Sequence, residues 1–179
     1  MSETLQAWLA QEEVQRQRWA QVDGSAMPEP AALAGLTGLQ QLQAMLRGEW
    51  PFATIGRTMD FLPVEVSEGR AVFQGAPGPG HLNPMGGVHG GWYATLLDSA
   101  LGCSVHTCMP AGKGYTTLEL KVNLVRALSP KVQRVRAIGR VIHVGGQTAT
   151  AEARLEGPDG KLYAHGSTTC LVFDVKASR

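Results

Sequence analysis

Residues 81–92 read HLNPMGGVHGGW, and residues 93–101 continue YATLLDSAL. A glycine-rich loop therefore leads directly into a segment that is apolar almost all round, as in a buried helix. The free N–H groups at the start of such a helix attract negative charge. About two turns later stands Asp98, an acid that is costly in apolar surroundings unless it has a partner or a task. A donor for a negatively charged oxygen, together with a buried acid or base, is typical of acyl chemistry.

The composition narrows the class of protein. The chain has 179 residues, 44% of them hydrophobic, and a formal net charge of +1, with Lys and Arg scattered. One domain with a sizeable core is expected, and neither nucleic acid nor an anionic membrane is indicated as a partner. No apolar run reaches the roughly 20 residues of a spanning helix, and the acidic, Gln-rich start does not resemble a signal peptide. Three cysteines without framework spacing favour a cytoplasmic protein.

Turn signals and periodicity predict an α+β domain with one long helix. Two strands, over residues 59–67 and 70–75, flank the hairpin signal Glu68-Gly69. A helix is expected from about Val88 to His106. Four strands follow it, over residues 115–125, 132–144, 147–156 and 161–173. Because a single helix stands among strands joined by short turns, we expect it to pack on a curved antiparallel sheet.

Strict alternation assigns two faces to the strand over residues 115–125. One face carries the apolar residues Leu118, Leu120, Val122 and Leu124, and the other carries the polar residues Thr117, Glu119, Lys121 and Asn123.

Residues 1–50 are predicted to form a helical extension in front of a domain over residues 51–179. Between Glu3 and Trp19 a few apolar residues recur at helical spacing in a polar segment, which indicates a mostly solvated helix. Thr37 is suited to cap a second helix that ends at Gly48. The extension is compatible with a lid, a partner contact or a brace on the sheet, of which a brace is the commonest.

The motif around the helix start resembles a known family. Asn-x-x-Gly-Gly-x-His-Gly-Gly over residues 83–91, followed by Asp98 and by YTTLELKVN over residues 115–123, is similar to the hotdog-fold acyl-CoA thioesterases of the phenylacetate-pathway (PaaI-like) type. The resemblance covers roughly residues 51–173. It implies a hotdog fold, in which a curved antiparallel sheet wraps a long central helix. It also implies hydrolysis of acyl-CoA thioesters without a metal or organic cofactor, since coenzyme A is part of the substrate.

Asp98 and Gly90 are the main candidate catalytic groups. Burial is expected to raise the pKa of Asp98 while leaving it largely ionised near neutrality, so that it serves as base or nucleophile. The alternative is a structural carboxylate that hydrogen-bonds Ser99, Thr95 or a backbone group. The Gly90 N–H is placed to stabilise an oxyanion, and the lack of a Cβ lets a ligand approach. The alternative for Gly90 is tight helix packing.

Three further residues are candidates from the resemblance. Asn83 matches a residue thought to position the carbonyl or the water, and His89 matches one that shapes the loop or assists polarisation. A His at a helix start is more often a cap. Thr117 falls where related enzymes place a hydroxyl that orients the attacking water, and Thr116 is its rival. Because consecutive strand residues face opposite sides, only one of the two is expected to serve.

The spacing of Gly90 and Asp98 predicts a shared site. Eight residues along one helix separate them by about 12 Å, too far for one carbonyl carbon to meet both. Two antiparallel helices about a twofold axis bring Gly90 of one chain near Asp98 of the other. A homodimer is therefore the expected minimum, and we also expect a dimer of dimers.

Other interpretations are less well supported. Cys103, His106 and Cys108 lack the spacing of a zinc site and are expected to be core residues. Arg126, Lys131 and Arg134 are candidates for coenzyme A phosphates or, more commonly, a solvated face. A hotdog dehydratase and a non-catalytic acyl-CoA sensor are the alternative functions. The sequence leaves the acyl group unassigned.

Overall fold

A computed structural model describes residues 1–22, 28–33, 35–129 and 131–175. The five helices are α1 (Glu3–Ala20), α2 (Pro30–Leu33), α3 (Gly38–Arg47), α4 (Ile55–Thr58) and α5 (Gly90–His106). The six strands are β1 (Phe61–Ser67), β2 (Arg70–Gly75), β3 (Lys113–Leu124), β4 (Val135–Val144), β5 (Thr148–Glu156) and β6 (Leu162–Asp174). The predicted order of two strands, one long helix and four strands is confirmed.

The six strands form one antiparallel sheet in the order β1-β2-β4-β5-β6-β3. The hairpin between β1 and β2 turns at Gly69, where φ is +70°, a conformation that glycine adopts at little cost. Helix α5 connects β2 to β3, which lies at the far edge of the sheet. The α+β class and the hotdog architecture expected from the sequence are confirmed.

Helix α5 packs on the concave face of this sheet. Its side chains Trp92, Leu96, Leu97, Leu101 and Val105 are at most 1% exposed. Each buried side chain of this size contributes roughly 1.5–3 kcal/mol. The helix also approaches β4 very closely, because a Cβ on Gly139 would lie 2.2 Å from the carbonyl oxygen of Ala100. Only glycine allows that contact, so the position of α5 on the sheet is tightly defined.

A β-bulge in β3 changes the predicted faces of that strand. Thr117 pairs with Cys170 and Glu119 with Thr169, so Leu118 is an extra residue between two consecutive pairs. A bulge puts two neighbouring residues opposite one, which interrupts strict alternation. Thr117 consequently turns toward α5, where it reaches Asp98. The prediction that Thr117 shares the outer face with Glu119 is wrong for this reason.

Helix α1 lies on the opposite face of the sheet from α5. In β2, Phe73 packs in the core under α5, whereas the neighbouring Gln74 points the other way and donates to Glu12 of α1 at 2.6 Å. Trp19 of α1 packs against a small apolar cluster formed by Leu62, Val64 and Val72. These contacts place α1 on the outside of the sheet, which favours the brace among the three interpretations of the extension.

The buried residues of α1 are polar. Glu12 is 3% exposed and accepts hydrogen bonds from Gln74, Arg16 and Arg134. Burial by itself raises the pKa of Glu12, but the hydrogen bonds from Arg134, Gln74 and Arg16 outweigh it and lower that pKa overall. Arg136 of β4 adds a contact, since its guanidinium lies 4.4 Å from the centre of the Trp8 ring. The helix that the sequence predicts to be mostly solvated therefore carries a buried charged network on the face that packs against the sheet.

Replacing Glu12 by Ala is expected to lower the free energy of unfolding by roughly 2–4 kcal/mol. The change removes the carboxylate that pairs with Arg134 and Arg16 and leaves the buried Gln74 amide only the Trp8 carbonyl as an acceptor among the described residues. Urea unfolding measures the change. Glu13→Ala on the exposed side of the same helix, where Glu13 only accepts from Gln17, is the matched control and is expected to stay within about 0.5 kcal/mol of the parent. Equal losses in the two variants would contradict a network role for Glu12.

Candidate active site

Asn83 organises the loop that leads into α5. Its side-chain oxygen accepts from the N–H of Met85 at 2.9 Å and from the N–H of Gly87 at 3.2 Å. Its backbone N–H donates to the carbonyl of Gly87 at 2.8 Å. The turn passes through Gly86 with φ at +81°. Asn83 therefore holds the loop in shape, and the amide oxygen is already used in doing so.

His89 is the N-cap of α5. Its backbone is extended, with φ −65° and ψ 138°, and its Nδ1 accepts from the N–H of Gly91 at 2.9 Å. An N-cap side chain of this kind satisfies one of the N–H groups that a helix start leaves without a partner. The geometry agrees with the cap that is the commoner function of a His at this position. It also places the loop so that Gly90 becomes the first residue of the helix.

Gly90 lines a cleft. As the first residue of α5, Gly90 has no intrahelical acceptor, and no other acceptor is found for it in residues 1–22, 28–33, 35–129 and 131–175. The cleft has a volume of about 360 Å³. Its lining combines the helix start and its loop with the segment after β3: Asn83, Gly87, Val88, Gly90, Tyr93, Leu124, Val125, Arg126, Ala127 and Leu128.

Asp98 lies two turns along α5 on a stripe that the sheet leaves open. Gly91 is exposed, and Ala94, Thr95 and Asp98 are half-buried, whereas the opposite side of the helix is fully buried. Burial raises the pKa of Asp98 above its ordinary value of 3.8, and a hydrogen bond from Thr117 offsets this only in part. The Thr117 hydroxyl donates to Asp98 Oδ1 at 3.3 Å. An acid with a raised pKa and one positioned donor is suited to general-base or nucleophilic work.

Thr116 and Thr117 lie on opposite faces of β3 and have different surroundings. Thr117 is half-buried and bonds Asp98, while Thr116 is exposed on the other face of β3. Of the two rival hydroxyls, only Thr117 is near the acid. The bulge at Leu118 is the cause, and alternation alone does not reveal it.

The remaining structural alternatives for Asp98 are resolved by the hydrogen bonds nearby. Thr95 donates to the carbonyl of Gly91, and Ser99 donates to the carbonyl of Thr95. Neither hydroxyl is directed at the carboxylate, so the expected alternative of a carboxylate that bonds Thr95 or Ser99 is not observed.

Within one chain the two halves of the site stay apart. Asp98 does not line the cleft at Gly90, as expected for two residues about 12 Å apart along one helix. Asn83, His89 and Gly90 are brought together at the helix start, and Asp98 and Thr117 form a second group.

The other sequence candidates differ in their surroundings. Arg126 lines the cleft and is exposed, whereas Arg134 is paired with Glu12. Cys103 is half-buried and packs against the core, and burial, together with the nearby charge of Asp98, raises the pKa of its thiol to about 12. In the part of the chain that the structure describes, no group of three or more His, Cys, Asp and Glu side chains is arranged to hold a metal ion. Among the same residues, no helix is both long and apolar enough to cross a membrane.

Sequence reasoning missed Tyr93 and the segment after β3. Tyr93 lies one turn after Gly90, and its hydroxyl contacts Arg126 and Leu128. No local sequence pattern indicates these two contacts, because the partners are 33 and 35 residues away in the chain.

Comparison with known proteins shows similarity to thioesterases. The family described as the thioesterase superfamily matches residues 85–164, just under half of the chain. The curated Pseudomonas aeruginosa protein PA1618 is 35% identical to this chain over 79 residues. Its name gives it as an esterase, but only provisionally. That alignment covers 44% of this chain and 53% of PA1618, so the chain spans about half the length of the curated relative it matches. The match to the thioesterase superfamily confirms the resemblance expected from the motif.

Solved structures extend the similarity over more of the chain. A mutant of the phenylacetic acid degradation protein PaaI from Thermus thermophilus is 25% identical, with a TM-score of 0.60, and the match covers 66% of this chain and 98% of that one. A hypothetical thioesterase from Streptococcus pneumoniae, solved with coenzyme A, is 21% identical, with a TM-score of 0.59. That match covers 66% of this chain and 89% of the other, and it supports the fold alone.

The carboxyl of Asp98 is expected to titrate above 3.8, and Thr117→Val is expected to raise its pKa further by removing the hydrogen bond that favours the ionised form. Carbon-13 NMR of the side-chain carboxyl measures this titration directly. Thr116→Val, on the other face of β3, should leave the titration unchanged. An Asp98 titration that is insensitive to Thr117→Val would show that this hydroxyl does not act on the acid.

Proposed function

We propose that this hotdog-fold chain, whose residues 85–164 match the thioesterase superfamily, hydrolyses acyl-CoA thioesters to the free acid and coenzyme A. The observation that carries the proposal is Asp98, a half-buried acid held by Thr117 on the open stripe of α5. The free N–H of Gly90 at the start of the same helix supports it. Together they supply a base or nucleophile and an oxyanion donor, the two groups that acyl transfer requires.

The reaction begins when an oxygen nucleophile attacks the thioester carbonyl carbon. The carbonyl oxygen becomes an oxyanion, which the Gly90 N–H and the helix N-terminus stabilise by several kcal/mol. Asp98 either takes a proton from the attacking water or attacks directly and is released by water in a second step. In both routes the oxyanion collapses and breaks the carbon–sulfur bond, and the thiolate of coenzyme A takes up a proton. With water as the nucleophile, that proton is the one Asp98 has taken, and the free acid leaves. With Asp98 as the nucleophile, water then hydrolyses the acyl–aspartyl anhydride, which releases the acid and restores the carboxylate.

Asp98 must be ionised for either function. Its raised pKa makes the carboxylate a stronger base than an exposed Asp. The Thr117 hydroxyl limits the shift and is also near enough to orient a water molecule beside the carboxylate. Asn83 and His89 contribute by holding the loop, and with it Gly90, in place.

The two halves of the site meet across a twofold axis. Because Asp98 does not line the cleft at Gly90, one chain presents the oxyanion donor and the other presents the acid. The open stripe of α5 at Gly91, Ala94, Thr95 and Asp98 is the surface on which the second helix would pack. The homodimer is therefore part of the proposed mechanism, with two equivalent composite sites.

The charge at the cleft suits coenzyme A. Arg126 is an exposed cation at the lining of the cleft, suited to a phosphate of coenzyme A. The coenzyme A complex of the Streptococcus pneumoniae protein is a precedent for this ligand on the same fold.

Asp98→Asn is expected to lower kcat by at least about 10²-fold, because the amide cannot serve as base or nucleophile. A panel of aromatic, short-chain and medium-chain acyl-CoAs, with released thiol as readout, measures turnover and identifies the acyl group. Circular dichroism checks that the nearly isosteric variant is folded. Near-normal turnover in folded Asp98→Asn would remove Asp98 from the mechanism, and a wild type that binds coenzyme A without turnover would favour the sensor.

Mixed dimers test the shared site. Gly90→Pro removes the N–H at the first position of the helix, where proline is accepted, and His89 already has the extended backbone that a following proline requires. Each homodimer, Gly90→Pro or Asp98→Ala, is expected to be nearly inactive. When the subunits mix statistically, about half the dimers are mixed and have one intact site, so about one quarter of wild-type activity should return.

Gly90→Ala is the matched control for this experiment. It keeps the N–H and adds a Cβ, which meets the Leu124 side chain at 3.1 Å. It therefore separates the steric effect of a side chain in the cleft from the loss of the N–H, and it should retain clearly more activity than Gly90→Pro. If verified mixed dimers stay as inactive as their parents, the two groups act within one chain and the composite site is wrong.

A further inference from the structure

Tyr93 is a buried polar residue beside the cleft that the reaction does not use. It is 3% exposed and lies one turn after Gly90 on α5. Its hydroxyl donates to the carbonyl of Arg126 at 3.4 Å and accepts from the N–H of Leu128 at 2.5 Å. A phenylalanine would fill the same space, so only these two hydrogen bonds distinguish the tyrosine.

Both hydrogen bonds go to the segment of residues 124–128, which is the wall of the cleft opposite the helix start. All five residues of this segment line the cleft with Gly90 and Asn83. The segment leaves the sheet after Leu124, and the N–H groups of Val125 and Arg126 both donate to one carbonyl, that of Tyr163. Leu128 is buried, and its carbonyl accepts from Val88 at 3.4 Å.

The distance between this wall and Gly90 depends in part on direct contacts with the helix start. A direct one is the side chain of Leu124, which lies against Gly90 but is 52% exposed. Tyr93 spans the gap from the helix side and holds the backbone on both sides of Ala127. Because Arg126 belongs to the held segment, the position of its guanidinium depends on the same two bonds.

We propose that Tyr93 is a positioning residue that sets the width of the cleft at Gly90 and the placement of Arg126, and thereby the binding of the coenzyme A part of the substrate. The inference rests on the proposed function for the identity of the ligand. Gly90 and Asp98 are held by the packing of α5, so loosening the wall affects binding more than chemistry. Loss of binding that is equal in ground state and transition state raises KM and leaves kcat unchanged.

The test compares Tyr93→Phe with Tyr163→Phe in the full chain. Tyr163 is also buried next to the segment. No hydrogen bond of its hydroxyl is found among the described residues, so removing that hydroxyl is the matched control. Tyr93→Phe is expected to raise KM by about 5–10-fold with kcat within about twofold, and Tyr163→Phe to change neither by more than about twofold. Calorimetry with coenzyme A alone should show the same loss of affinity in Tyr93→Phe.

Unchanged KM and coenzyme A affinity in folded Tyr93→Phe overturn the proposal, and so do equal changes in the two variants. If Tyr93→Phe does not fold, Leu124→Ala trims the same wall at an exposed side chain, and an unchanged coenzyme A affinity there overturns it as well. A wild type that binds coenzyme A but hydrolyses none of the acyl-CoAs refutes the thioesterase alone, because the affinity measurements still decide the function of Tyr93. A wild type that neither binds nor hydrolyses refutes both.

Discussion

The contact between Ala100 of α5 and Gly139 of β4 fixes the position of the helix on the sheet, and the rest of the structure depends on that position. A side chain at Gly139 would meet the helix backbone at 2.2 Å, so the helix rests directly on the sheet and cannot shift along it without a steric clash. The buried side chains on either side of this contact, from Trp92 to Val105, hold the helix at that depth. Since Gly90 and Asp98 both belong to α5, this packing places the two proposed reacting groups.

The same packing keeps Gly90 and Asp98 apart within one chain, and the proposed dimer brings them together. A straight helix holds Gly90 and Asp98 at a constant separation of about 12 Å, which is rigid but too long for one carbonyl. Rigidity is nevertheless useful, because preorganised donors and acids need no rearrangement during the reaction. A second copy of the helix, running the other way, brings the opposite group within reach while each chain remains stiff.

The outer face of the sheet is stabilised differently from the inner one. Helix α1 is held by the charged network around Glu12 and by Trp8 and Trp19 at either end, with few apolar contacts between. Buried charges contribute little net stability, but they require one geometry, because an unpaired charge is expensive. Helix α1 is accordingly fixed in one orientation on β1, β2 and β4.

The sequence by itself determined the order of helices and strands, the loop motif and the isolated acid Asp98, because these depend on local periodicity and on residues close together in the chain. It also indicated that Gly90 and Asp98 are too far apart for one chain, because helix geometry is fixed. Only the tertiary structure decided that Thr117 rather than Thr116 faces the acid, that Glu12 is buried, and that Tyr93 holds residues 126 and 128. Each of these depends on a bulge or on partners tens of residues away, whose approach is decided by packing of the whole sheet and leaves no periodic trace in the chain.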